Sequence, residues 1–191
     1  MEQLVVENAA LVAVDFQEGI LRVPFVPHSA NSVLANAVSL ARSFRRIGSP
    51  VVLTRVAWAP DFADALKQAV DRPLPMPPGG LPADWADLSG DLDVAPDDIV
   101  ITKRQWNAFH GTELDLQLRR RGIKTLVLAG IASNMGVEST ARAAYELGYQ
   151  LVFAEDAISS VAPGMHEFAA QTIFPMIGAV RRTEEIIAAL G

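Results

Sequence analysis

Apolar positions along this chain gather into short unbroken blocks, and several of the blocks follow a glycine. The segments "FRRIGSPVVLTRV", "LRRRGIKTLVLAG" and "YELGYQLVFAEDA" share one order: the end of a helical pattern, a glycine, then a β-branched apolar run. Gly48, Gly122 and Gly148 stand where a helix commonly ends on a left-handed residue. Runs that are apolar at every position, rather than at alternate positions, suit strands covered on both faces, as in a parallel sheet. "AALVAVD" near the start and "DIVITK" before residue 104 bring the count to at least five strands alternating with helical segments. Such alternation predicts an α/β fold with helices on both faces of a parallel sheet.

Helical periodicity covers 30–47, 112–121, 134–147, 164–174 and 183–190, and a short last strand over 176–180 adds an edge. The 73–96 segment differs: "RPLPMPPGGLPADW" is too dense in proline and glycine for a regular element and predicts a long excursion over the surface. With no internal repeat and no linker, residues 1–191 read as a single domain, long enough to bury a substantial core.

Composition narrows the function. The formal net charge is -6, and the basic residues are scattered in short clusters. Arg45-Arg46 and Arg119-Arg120-Arg121 precede glycines, where cations favour a helix C-terminus. No basic stripe with interleaved aromatics exists, so no nucleic-acid partner is expected. The chain has no cysteine, which removes disulfides, thiolate metal sites and thiol catalysis. "MEQLVVENAALVAVD" carries acids where an export signal carries positive charge. The longest apolar run, around 126–132, is too short for a membrane span. The expectation is a cytoplasmic protein with no membrane partner.

Ligands of open parallel sheets bind beyond the carboxyl ends of the strands, so the residues standing there are the candidates. They are Asp15 and Gln17; Arg55 and Trp58; Lys103, Trp106, Asn107 and Phe109; the loop 132–136; and Glu155 with Asp156. Asp15 alone reads equally as a structural acid, and Lys103 alone as a solvated lysine. Together they make an acid/base pair, in which the ammonium holds the carboxylate ionised while an apolar surround raises its pKa. Trp58, Trp106 and Phe109 read as part core and part wall of a pocket for a flat small molecule. Ser133 reads as the N-cap of the following helix. Gly136 falls in that helix's first turn, where unpaired amides can receive developing negative charge.

The three histidines, His28, His110 and His166, show no metal-ligand spacing with another His or Asp, so no metal site is expected. His166, after "APGM", reads as structural. Neither GxGxxG nor a Walker A loop occurs, and no cofactor is expected.

The order "VDFQ", "TKRQWNAFHGTEL", then "LVLAGIASNMGVESTARAAYELGYQLVFAEDA" resembles the isochorismatase-like hydrolases over residues 11–190. The resemblance implies a three-layer α/β/α fold with a six-stranded parallel sheet, assembled into homo-oligomers. Most members of that family use an Asp–Lys–Cys triad. By position these are Asp15, Lys103 and Gly136, so the nucleophile is missing. The resemblance also implies a cis peptide between Ile131 and Ala132, with the amides of Ala132 and Gly136 aimed at a substrate oxygen. Substrate contacts are expected from Gln17, Trp58, Trp106, Phe109, Ala132 and Met135. Nicotinamidases of the family carry one Asp and two His as a metal site after the second strand, where "TRVAWAPDFADAL" has no histidine.

A glycine at 136 excludes a covalent acyl-enzyme there. True isochorismatases are similar in having glycine at this place, and they hydrolyse a vinyl ether. That chemistry needs a general acid, here Asp15 oriented by Lys103, and water to trap the oxocarbenium ion. Isochorismate carries two carboxylates, against which only Arg55, Lys103 and Arg104 can be set near the edge. Two readings result: a small-molecule hydrolase without a protein nucleophile, or a non-catalytic small-molecule-binding descendant.

Overall fold

The computed structural model describes residues 8–73 and 79–191. Six strands form one sheet: β1 (Ala9–Val14), β2 (Val51–Val56), β3 (Ile99–Lys103), β4 (Thr125–Ile131), β5 (Gln150–Ser159) and β6 (Ala179–Arg181). Every pairing is parallel, in the order β3-β2-β1-β4-β5-β6. The sheet is six-stranded and parallel, as the resemblance implied.

All residues of β1 and β4 are buried, because these central strands are covered on both faces. Their side chains divide by the two-residue period of a strand. Leu11 and Ala13 join Leu40, Phe44 and Leu53 in the core beneath α2 (Ala30–Arg46) and α7 (Thr183–Leu190). Ala10, Val12 and Val14 join Leu114, Leu118 and Phe174 on the other face, beneath α3 (Leu114–Arg120) and α4 (Glu138–Glu146). Each continuous apolar run therefore feeds two cores.

Helix α2 begins on Ser29, whose hydroxyl accepts from the Ser32 amide. Three features differ from the sequence pattern. A one-turn helix, α1 (Glu18–Leu21), follows β1. The 164–174 pattern divides into α5 (Met165–Phe168), a wide π turn (Ala169–Ile173) and α6 (Phe174–Ile177). Because the helix persists to Ile177, the edge strand starts only at Ala179, after the extended Gly178, where a Cβ would meet Leu151 O at 2.6 Å.

The expected 73–96 excursion contains one short 3-10 turn (Gly90–Leu92); residues 74–78 lie outside the described part. Its second half folds back onto the exit of β1. Ser89 N donates to Phe16 O, Glu18 N to Asp87 O, and Gly19 N to Trp85 O. The Trp85 indole lies so close over Gly19 that a Cβ there would sit 2.0 Å from Cδ1. Only glycine fits beneath that ring.

β1 and β4 are neighbours, with β2 and β3 beyond one and β5 and β6 beyond the other. The chain thus winds outward in both directions from the β1/β4 pair, which opens a crevice at their carboxyl ends.

Candidate active site

Asp15 follows the last residue of β1 and takes up φ 58, a left-handed conformation that aspartate tolerates better than most side chains. Its amide donates to Thr54 O at 3.1 Å, which ties the turn to β2. Its carboxylate is fully engaged: Lys103 Nζ donates to Oδ2 at 2.6 Å, and Thr54 Oγ1 donates to Oδ1 at 2.8 Å. Lys103 ends β3, two strands away, and its ammonium reaches past β2 and also donates to Gln105 O at 3.2 Å. Both side chains are buried. A buried ammonium without a partner is severely disfavoured, so the two charges hold each other in place. Burial raises the Asp15 pKa, against the opposing charge and hydrogen bond of Lys103 and the hydroxyl of Thr54.

Gly136 stands against this pair. A Cβ on residue 136 would lie 3.1 Å from Asp15 Oδ2 and 3.1 Å from Val14 Cγ1. The loop reaches that position because β1 and β4 nearly touch at their ends. Gly130, at φ 136, leaves room for Val14 O, which a Cβ would approach to 2.3 Å. The Ile131–Ala132 peptide is cis, as the resemblance implied, and a π turn (Ser133–Val137) carries the chain into α4. Asp15, Lys103 and residue 136 therefore converge.

The other candidates separate. Ala132 is buried in the elbow itself, and half-buried Met135 packs on the neighbouring core. Gln17 is buried with its amide bound to the backbone: Nε2 donates to Val56 O at 2.9 Å and Oε1 accepts from Val56 N at 2.7 Å. It laces the ends of β1 and β2 together. Trp58 stacks on Trp85 with centroids 5.6 Å apart and donates to Arg104 O, so the excursion and β2 share an aromatic cap. Trp106 is 52% exposed. Phe109 packs on Tyr149, whose hydroxyl donates to Asp115 on α3, which places its ring with the core beneath α3 and α4. Arg55 donates to Thr102 Oγ1, and Arg104 pairs with Asp64 at 2.6 Å.

A second cluster adjoins the elbow. Ser133 does not cap the helix; its hydroxyl is hydrogen-bonded to His166 Nδ1 at 2.8 Å. His166 Nε2 and His28 Nε2 both meet Glu155 Oε1, at 3.0 and 2.9 Å. The two imidazoles hold the Glu155 carboxyl down to about 2, the His166 hydrogen bond contributing most. Asp156, its neighbour, turns the other way and accepts from the amide and hydroxyl of Thr183 at the start of α7. The sequence pattern missed the grouping of His28, Glu155 and His166, since His28 and Glu155 stand 127 positions apart. The one signal available was the carboxylate pair of "AEDA", expected at the end of a strand that in fact runs on through Glu155 and Asp156 to Ser159.

A doubly wound parallel sheet with a buried carboxylate–ammonium pair at its switch point places the pair where open α/β sheets bind their ligands. The isochorismatase domain profile matches residues 9–185. The isochorismatase-family protein YecD of Escherichia coli O157:H7 is 50% identical over 190 residues, covering 100% of both chains. The ureidoacrylate amidohydrolase RutB of Pantoea ananatis is 32% identical over 199 residues, covering 91% of this chain and 80% of its own. The solved structure of an isochorismatase-family protein from Burkholderia thailandensis superposes with a TM-score of 0.91 at 47% identity, covering 96% of this chain and 95% of that one. The chain belongs to the isochorismatase family and is a hydrolase of that family without a cysteine.

Proposed function

We propose that the protein hydrolyses a small molecule with an acid-labile bond, of the vinyl-ether class, with Asp15 as general acid/base. The observation that carries this reading is the close contact of Gly136 with the Asp15–Lys103 pair: the position at which a thiol would stand carries no side chain, and the backbone lies so near a carboxyl whose pKa is raised that even a Cβ would come within 3.1 Å of it. Asp15 gives its proton to the enol-ether carbon. Water adds to the resulting oxocarbenium carbon and returns a proton to Asp15, and the hemiketal collapses to a carbonyl compound and an alcohol. Lys103 orients the carboxyl and balances its charge. The amides of Ala132 and Gly136 are assigned to the leaving oxygen, which gains negative charge as the hemiketal collapses to the carbonyl compound and the alcohol.

RutB is named for an amide substrate, but without a thiol an amide bond in this site would have to be attacked by water directly. Arg55 and Arg104 already have partners, which favours a neutral or singly charged substrate over a dianion. Self-association into a homo-oligomer belongs to the same reading, as the family resemblance implies. A cytoplasmic location fits the same reading.

The test is a screen following pyruvate release from isochorismate and smaller vinyl ethers, and ammonia release from nicotinamide and carbamoyl amides, with Asp15→Asn alongside. Vinyl-ether turnover that falls by about 100-fold or more in the variant is the expected result. Ammonia release, or an equal rate in Asp15→Asn, overturns the mechanism. Ligand-induced stabilisation without turnover returns the protein to the binding reading.

A further inference from the structure

His28, Glu155 and His166 come from three elements far apart in the chain: the loop before α2, the irregular second half of β5, and α5. Their ligand atoms nevertheless lie within 4.8 Å of one another. The two imidazole rings meet edge to face, with centroids 5.4 Å apart at 85°, so they converge on the carboxylate instead of stacking. We propose that His28 Nε2, Glu155 Oε1 and His166 Nε2 form a binding site for one divalent first-row transition-metal ion, beside the elbow and separate from the Asp15–Lys103 pair.

Three observations carry this. The first is spacing. Ligands about 2.1 Å from a metal stand roughly 3.0 Å apart at right angles and roughly 3.4 Å apart in a tetrahedron. The two nitrogen-to-oxygen edges here are 2.9 and 3.0 Å.

The second is the outer shell. A metal-bound imidazole usually hands its other N–H to a fixed acceptor, which sets the tautomer and the ring plane. Ser133 Oγ stands 2.8 Å from His166 Nδ1 and is itself buried. With Nδ1–H donated to that hydroxyl, a metal at Nε2 would take the place of the proton that this nitrogen shares with Glu155. His28 is held through its backbone, its amide donating to Ser159 Oγ at 3.2 Å.

The third is access. His166 is buried, whereas the side chains of His28 and Glu155 remain about a quarter exposed, so an ion can enter from one side. Two imidazoles, one carboxylate and no thiolate select an intermediate ion of the Zn2+, Fe2+, Mn2+ or Co2+ kind over Ca2+ or Mg2+. Three protein ligands leave coordination positions for water or a ligand oxygen.

Zn2+ is the probe. Untagged protein, stripped with chelator and dialysed, is titrated calorimetrically, and its retained metal is counted by elemental analysis. The expected result is one Zn2+ per chain, with affinity at least tenfold weaker in His28→Ala and in Glu155→Gln. Affinity is unchanged in Asp15→Asn and in His110→Ala. Co2+ in place of Zn2+ gives visible d–d bands that vanish in the same two variants. His28 and Glu155 are chosen over buried His166 so that the variants keep the fold, checked by circular dichroism. Absence of Zn2+ binding in the parent protein overturns the site and reduces the cluster to a hydrogen-bonded strut. Equal binding in His28→Ala and Glu155→Gln, or loss on His110→Ala, likewise overturns it. None of these readouts depends on turnover, so the fate of the vinyl-ether reading is decided separately.

Discussion

Asp15 Oδ2 lies 2.6 Å from Lys103 Nζ, with the two side chains 7% and 1% exposed. So complete a burial makes the pair interdependent, since removing one charge strands the other away from water. It also shifts the proton affinity of Asp15. Burial lifts its pKa above the ordinary 3.8, and Lys103 and Thr54 offset only part of the rise.

A pH dependence follows from that direction. A carboxyl whose folded pKa is raised holds its proton more tightly folded than unfolded. The stability it contributes is complete below the unfolded value of 3.8 and is lost as pH rises through the folded value. Denaturant titrations at stepped pH will show the parent protein losing stability over this interval relative to Asp15→Asn. Turnover that needs the protonated acid will fall along the same limb. A flat difference between the two proteins would remove Asp15 as the titrating group.

Residue 136 offers a steric test. A methyl group in Gly136→Ala meets Asp15 Oδ2 and Val14 Cγ1 at 3.1 Å, closer than side chains ordinarily pack. The carboxylate must yield by a few tenths of an ångström, which disturbs its alignment with Lys103. We expect a loss of roughly 1–3 kcal/mol in stability from overpacking. Turnover should fall by about tenfold or more, read from kcat on the best substrate of the screen. Unchanged kcat would place the reacting atoms away from residue 136.

The excursion is tied down at a different glycine. Gly19→Ala drives a methyl into the Trp85 ring, where the Cβ would lie 2.0 Å from Cδ1. The indole must leave, and with it the stacking on Trp58. Faster cleavage by a protease within 79–96 and a stability loss of roughly 1–3 kcal/mol are expected. In a double-mutant cycle Trp85→Ala should absorb most of that penalty, because the clash is with this one ring. Additive losses would mean that the glycine matters for its backbone and not for the space above it.

The sequence by itself determined the sheet, the major helices and one chemical pair. Strands buried on both faces announce themselves through local composition, and glycines after helical patterns mark where each helix hands over to the next strand. Helix α7 falls on 183–190 and α2 on 30–46, close to the periodicity that foretold them. Asp15 and Lys103 were legible because each stands at the end of a strand and parallel strand ends share one edge, while Gly136 was set beside them by the family resemblance. Tertiary structure alone decided the partners of side chains whose contacts leave no local pattern. Ser133 looked like a cap until His166, 33 positions away, claimed its hydroxyl. Gln17 looked like a substrate contact, yet it laces β1 to the backbone of Val56. Glu155 and Asp156 are neighbours in the chain but face a histidine pair and a helix start, respectively. The physical reason is common to all three. A strand's burial is set by its own residues, whereas a polar group's partner is set by which distant segment packing brings within 3 Å, and only the folded chain makes that choice.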